Sequence, residues 1–184
     1  LTSAVERMNG ALRHRGPDDQ DVISPATDSP NINLCLGNTR LSIIDTSSAG
    51  HQPIHDPQSG NWITYNGETY NFHELRSEIG EEFGPWRSNT DTEVVLKAYQ
   101  KWGIEAFVRL RGMFAVAIWD RNNRQLILAR DSFGIKPLYC YIPGGEVSLT
   151  ASDSSQDVSS NTLVFASEVR ALLASGLVPR ELSS

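Results

Sequence analysis

Two strand-like runs, residues 113–119 and 125–129, are separated only by Asp120-Arg121-Asn122-Asn123-Arg124. Five polar residues can return the chain into a neighbouring antiparallel strand, whereas a parallel crossover needs a dozen or more. A β-hairpin is therefore expected here, and it biases the whole chain toward antiparallel pairing. Residues 62–65, Trp-Ile-Thr-Tyr, have the β-branched and aromatic character of a half-buried strand. Further strands are expected over 34–37, 40–44, 137–142 and 162–166. Helical spacing places Val5, Met8 and Leu12 on one face of a segment over 3–12, which Gly16-Pro17 should stop. Asn71-Phe72-His73-Glu74 matches a capping box that would open a short helix to Ile79. Thr90-Asp91-Thr92-Glu93 matches another, with Val94, Val95, Ala98, Tyr99 and Trp102 on one side of a helix ending at Gly103. A last helix is expected over 168–174, with Gly176 as its cap. Hairpins with helices before and after them predict an α+β layered fold, not a doubly wound one.

At 184 residues, 39% hydrophobic and 21% charged, the chain reads as one globular domain spanning 1–184. No apolar run has the length of a membrane span, and the first residues lack a signal-peptide core, so a cytoplasmic location is expected. A net charge of −6 without a Lys/Arg cluster argues against nucleic acid as a partner. Cys35 and Cys140 lie in strand-like runs and are expected as buried reduced thiols. Neither belongs to a Cys-x-x-Cys pair, and Pro53 between His51 and His55 argues against a metal site there. The Ser-, Gly-, Pro- and His-rich stretch 45–60 is long enough to suggest function. The Ser-, Gly- and Asp-rich stretch 143–161 is expected to be a flexible insertion.

Asn66-Gly67 follows the 62–65 run directly. The dipeptide is a type I′ turn signal, so it is expected to end or bulge that strand. It is also a side-chain amide beside a backbone N–H that can be approached closely, a donor pair suited to an oxyanion. Arg40, Glu68 and Asp91 likewise fall at strand ends or helix starts, where a sheet displays its site. Individually they read as a solvated strand residue, a loop carboxylate and a first-turn acid complementing the helix dipole. Together they describe a site for a free α-amino acid with a reacting side-chain carbonyl. An Arg fork takes a carboxylate, two acids take an ammonium and a donor pair takes an oxyanion.

Six strings, in order, resemble the glutamine amidotransferase domain of glutamine-hydrolysing asparagine synthetases: Arg13-His14-Arg15-Gly16-Pro17-Asp18-Asp19, Asn38-Thr39-Arg40-Leu41-Ser42-Ile43-Ile44-Asp45, Asn66-Gly67-Glu68-Thr69-Tyr70-Asn71, Asn89-Thr90-Asp91-Thr92-Glu93, Arg111-Gly112-Met113-Phe114-Ala115, and Arg130-Asp131-Ser132-Phe133-Gly134-Ile135-Lys136-Pro137-Leu138-Tyr139. Phe165-Ala166-Ser167-Glu168-Val169-Arg170-Ala171-Leu172 is similar to the segment that leads out of that domain. The resemblance implies a class II, N-terminal-nucleophile hydrolase fold, a four-layer αββα sandwich of two antiparallel sheets. In that family an N-terminal cysteine attacks the glutamine carboxamide with its own α-amine as base, a group that titrates near pH 8. The resemblance implies Asn66 and Gly67 as the oxyanion hole, and Arg40 as the partner of the glutamine α-carboxylate. It implies Glu68 and Asp91 as partners of the α-ammonium, with Leu41, Ser42, Ile43 and Ile44 lining the pocket. L-Glutamine is then the substrate. No cofactor is expected for this domain, and ATP and Mg are expected for a covalently linked synthetase domain that activates aspartate.

The family's leading Cys-Gly-Ile is not in the sequence, which begins at Leu1, and no Ser-Gly-Gly-x-Asp pyrophosphate loop follows. The expectation is a fragment lacking its first strand and connection, roughly 15 to 25 residues, and the synthetase domain. Such a fragment would be inactive, with Thr2, Ser3, Cys35 and Cys140 poor substitutes for the nucleophile. Its unpaired sheet edge could lead to a homodimer. Thr69, where the family usually has an aliphatic residue, and the Ser-rich stretch 152–160 are smaller departures. Two alternatives stay open: an amidotransferase domain for another acceptor, and a non-catalytic glutamine-binding or interaction module.

Overall fold

In a computed structural model, residues 1–42, 47–143 and 162–180 are described, and their core is the expected hairpin with a third strand laid against it. β5 (Gly112–Asp120) lies between β4 (Trp62–Thr69) and β6 (Gln125–Arg130), and the short β3 (Ile54–His55) pairs with the start of β4, all antiparallel. Strand alternation divides the side chains of this sheet between two faces. Ile63, Tyr65, Phe114, Val116 and Ile118 pack against Val95, Leu96 and Tyr99 of α3 (Asp91–Trp102). On α3's other side, Val94 and Ala98 pack with Leu75 and Ile79 of α2 (Phe72–Ile79), and Ala106 of α4 (Ala106–Arg109) completes that cluster. The helix expected to be apolar on one side is thus buried all round from Asp91 to Tyr99.

The opposite face of the four-stranded sheet looks toward a second layer of two strand pairs. β1 (Asp19–Ile23) pairs with β2 (Leu36–Arg40), and β7 (Tyr139–Tyr141) pairs with β8 (Val164–Ala166), both antiparallel. α1 (Thr2–Leu12) packs on β1, β2 and α5 (Val169–Ala174), and Met8 joins Val164, Ala166, Ala171 and Leu172 in a second core. The order helix, sheet, sheet, helix is the αββα sandwich. Among the described residues no helix is long and apolar enough to cross a membrane.

Several local expectations are corrected. β4 runs straight through Asn66-Gly67 with one-to-one register from Trp62↔Trp119 to Thr69↔Gly112, so the dipeptide neither ends nor bulges the strand. Gly67 serves close approach instead of a turn: a Cβ there would sit 2.4 Å from the Met113 carbonyl oxygen and 2.7 Å from Phe114 Cα. β2 likewise runs through Asn38 and Thr39, where two strands were expected, because β1 pairs with it along its whole length. β1 itself, Asp-Gln-Asp-Val-Ile, has little strand propensity of its own. The Asn71 side chain does not cap α2. Its amide donates to the Arg109 carbonyl at 3.1 Å and its oxygen accepts from the Arg111 N–H at 2.9 Å, tying α2 to the start of β5. Thr90 does cap α3, accepting from the Glu93 N–H at 3.2 Å. The Glu93 carboxylate turns instead to the N–H groups of Arg87 and Ser88 and to the Ser88 hydroxyl. Cys140 is exposed on the short β7 and Cys35 is half-buried ahead of β2, so neither is the buried thiol expected. The flexible insertion lies outside the described residues, apart from Pro143.

One ion pair is deeply buried. Lys97 on α3 is 2% exposed and donates to Asp56 at 3.0 Å. Asp56 also accepts from the Ser59 N–H and hydroxyl and from Gln100. Burial pushes its carboxyl up, but the hydrogen bonds from Ser59 and Lys97 outweigh that and hold it down at about 2. Removing one partner strands a charge in the core, so Lys97→Met should cost about 3–5 kcal/mol in a denaturant titration. A loss under about 1 kcal/mol would show that Ser59 and Gln100 suffice to carry Asp56.

Candidate active site

Beyond its two-residue pairing with β3, the outer edge of β4 must find partners for its backbone in side chains. Both backbone groups of Phe114 are engaged with Asp131, its N–H with the carboxylate at 3.1 Å and its carbonyl with the Asp131 N–H at 2.8 Å. Gly67, directly opposite Phe114, is therefore a non-hydrogen-bonded partner of β5, and its own backbone groups point to the outer edge. The same alternation turns Tyr65 and Thr69 outward. Gln52 takes Tyr65 from both sides, accepting from its N–H at 2.7 Å and donating to its carbonyl at 3.2 Å. The Asp91 carboxylate accepts from the Thr69 N–H at 2.8 Å. Between Tyr65 and the engaged Thr69 N–H, the Gly67 N–H has no partner among the described residues.

Asn66 projects to the opposite, inter-sheet face, where its amide lies 3.4 Å from the hydroxyl of Ser167 at the end of β8. That face borders a cavity of about 1480 Å³ whose lining includes Arg40, Leu41, Asn66, Gly67, Ala115 and Ser167. Ala115 and Ala117 keep the sheet floor low, so the space lies directly over Asn66 and its cross-strand partner Ala115. Arg40 enters from the end of β2. Its guanidinium donates to the Ser47 carbonyl at 3.2 Å and lies against Gly50, where a Cβ would fall 2.1 Å from its Nη2. A glycine at 50 is what leaves the guanidinium its place.

Of the residues expected to form the site, Arg40, Leu41, Asn66 and Gly67 meet at the cavity. Glu68 and Asp91 are next to it, not in its lining. Glu68 follows Gly67 on β4, and Asp91 opens α3 as a nearly buried residue, 5% exposed. Burial pushes the Asp91 carboxyl up to about 6, the Thr69 amide opposing that and the Glu68 carboxylate adding to it. Ser42 is engaged elsewhere, its N–H donating to Asp18 at 2.8 Å. Ile43 and Ile44 lie outside the described residues. Gln52 and Ser167 were not expected in the site, and His51 was considered only as a metal ligand, although all three shape the site. Only the long 45–60 stretch pointed toward the first and the last. No group of three or more His, Cys, Asp or Glu side chains suited to a metal ion occurs among the described residues.

The model of the glutamine amidotransferase domain family matches residues 1–184. Amidase chry2 of Gibberella zeae is 38% identical over 179 residues, covering 97% of this chain and 24% of that protein. A putative asparagine synthetase [glutamine-hydrolyzing] of Mycobacterium tuberculosis strain H37Rv is 42% identical over 142 residues, covering 74% of this chain and 22% of that protein. Asparagine synthetase [glutamine-hydrolyzing] 1 of Bacillus subtilis is 38% identical over 159 residues, covering 86% and 24%. The chain thus spans about a quarter of the length of these relatives. Among solved structures, the glutamine phosphoribosylpyrophosphate amidotransferase of Bacillus subtilis superposes with a TM-score of 0.68 at 16% identity, covering 95% of this chain and 41% of that one. That likeness concerns the fold, which it identifies as the amidotransferase sandwich built here around β4 and β5. With the family match over its whole length, this chain belongs to the glutamine amidotransferase domain family.

Proposed function

We propose that this domain hydrolyses the side-chain amide of L-glutamine and supplies the ammonia to a covalently linked, ATP- and Mg-dependent synthetase domain that converts aspartate to asparagine in the cytoplasm. The observation that carries the reading is the unpartnered Gly67 N–H beside the Asn66 amide, at the edge of a cavity that Arg40 enters from the other sheet. Two donors at that spot would stabilise the oxyanion of a tetrahedral intermediate. Arg40, fixed by Ser47 and Gly50, would take the α-carboxylate as a fork. Glu68 and Asp91 would take the α-ammonium.

The nucleophile in this reading is an N-terminal cysteine, which is not one of these 184 residues. Among the described residues β2 and β8 each pair on one side only, and the cavity reaches both. A strand laid between them would carry its first residue toward Asn66. There the thiol would bond to the amide carbon and give its proton to the α-amine, which passes it to the departing ammonia. Water would then release glutamate from the thioester. A second reading, with another ammonia acceptor, draws support from the Gibberella zeae amidase, which matches 97% of the chain.

The polypeptide isolated from its source tests this directly. Intact mass and N-terminal sequencing should find a terminal cysteine, and amide-labelled glutamine with aspartate and ATP should yield labelled asparagine. Glutamate release with no transfer to aspartate would favour the second reading, and the absence of both cysteine and glutamate release would overturn the glutaminase reading. In the active protein Asn66→Ala should lower kcat by about 10²–10³ with a small change in KM. Arg40→Ala should chiefly raise KM.

Asp91 adds a pH dependence. Only its carboxylate attracts an ammonium, so glutamine capture should weaken as pH falls through about 6. The sign for stability is the reverse. With its pKa raised above 3.8, Asp91 favours folding below that value and loses this contribution as pH rises through about 6. Asp91→Asn should therefore fold about 1–3 kcal/mol more stably than wild type at pH 7, and this gain should close on acidification, as read by denaturant titrations.

A further inference from the structure

His51 stands between two carboxylates. Its Nδ1 is 2.5 Å from Asp19 Oδ2 and its Nε2 is 3.0 Å from Asp21 Oδ2, both on one face of β1. A neutral imidazole has a single N–H, so one of these contacts would set a nitrogen lone pair against a carboxylate oxygen. Both are satisfied only by the imidazolium. The hydrogen bonds that His51 donates to Asp21 and Asp19 accordingly raise its pKa above 6.5, and the first of these bonds lowers the pKa of Asp21.

The segment that carries His51 is the one that walls Arg40. Ser47 accepts from the guanidinium, Gly50 packs against it, and Gln52 fastens the segment to β4. Asp19 is also the cross-strand partner of Arg40, directly opposite it and on the same face. Freed from His51, the Asp19 carboxylate would have Arg40 as its neighbouring cation. We infer that His51 is a positioning residue for glutamine capture: as an imidazolium it holds segment 47–52 over Arg40 and keeps the Asp19 carboxylate from occupying the guanidinium. The inference rests on reading Arg40 as the partner of the substrate α-carboxylate.

The other charged groups around His51 leave the clamp in place. The small cavity beside it is bordered by His55, Asp56, Arg87, Glu93 and Lys97. Asp56 is taken by Lys97, Ser59 and Gln100, and Glu93 by Arg87 and Ser88, so neither acid replaces Asp19 or Asp21. Asp18, next in sequence, holds Ser42. Because the His51 pKa is raised, the clamp is fully present below 6.5 and is lost as pH rises through the folded value.

The test combines binding and NMR on this chain. The dissociation constant for L-glutamine, measured by calorimetry, should rise on the order of ten-fold as pH rises through the raised His51 pKa, located by the titration of its ring protons. His51→Gln should bind at the weakened level and lack the limb that tracks His51, keeping only the loss that follows deprotonation of glutamine's own ammonium, and His51→Arg, which keeps the charge, should stay tight above the His51 pKa. In the ligand-free wild type, the Arg40 Nε–Hε resonance should titrate with the His51 ring protons. An Arg40 signal that ignores the His51 titration, or a binding limb at the wild-type His51 pKa that persists in His51→Gln, overturns the inference. If Arg40 follows His51 but glutamine binds at no pH, the clamp stands and the glutaminase reading falls.

Discussion

The backbone of β4 cannot be left bare along its outer edge, and the arrangement of the molecule follows from how that edge is satisfied. β3 covers only the first two residues. Beyond them, Tyr65 is closed by Gln52 and Thr69 by Asp91, each a side chain delivered from a different part of the chain. A buried amide or carbonyl without a partner costs as much as a lost hydrogen bond, so these two side chains fix the segment around 47–52 and the start of α3 against the sheet. What they leave between them is the Gly67 N–H, and that gap is where the proposed chemistry sits. The site is thus an interruption in the satisfaction of a strand edge, held open by the residues on either side.

Acidic side chains do much of this fastening, which gives the net charge of −6 a structural meaning. Asp131 accepts from the N–H groups of Phe114, Phe133, Ile135 and Lys136 and so ties the turn after β6 back to the sheet. Glu93 gathers the 87–88 backbone onto α3, and Asp56 closes its own turn while neutralising Lys97. A carboxylate that accepts several N–H bonds is stabilised as an anion, and the lowered pKa of Asp131 reflects its backbone hydrogen bonds. Asp91 has fewer such bonds for its burial and a neighbouring Glu68, so its carboxyl is pushed upward where those of Asp56 and Asp131 are held down. Its environment sets it apart from acids that serve only as anchors.

Where element type depended on side-chain period or a local cap, the sequence was legible. α1, α3 and the β5–β6 hairpin fall close to the residues expected, because their apolar spacing and bounding residues act within a few positions. The failures share one cause, which is a partner distant in sequence. Asp-Gln-Asp-Val-Ile becomes β1 because β2 is there to pair with it, and Asn66-Gly67 stays extended because β5 approaches it too closely for any other residue. Asn71 abandons its helix cap for the Arg109 carbonyl and the Arg111 amide nearly forty residues away in the chain.

By itself the sequence determined the layered α+β class, the resemblance to one family and the chemical types gathered for an amino-acid site, since these depend on residue identity and short-range order. The tertiary structure decided which of those residues meet. It brought Arg40, Leu41, Asn66 and Gly67 to one cavity, set Asp91 and Glu68 at its margin and turned Ser42 toward Asp18. It also placed His51 between two aspartates of a strand with weak propensity of its own. Those outcomes rest on register and on hydrogen bonds between segments far apart in the chain, which only the folded geometry specifies.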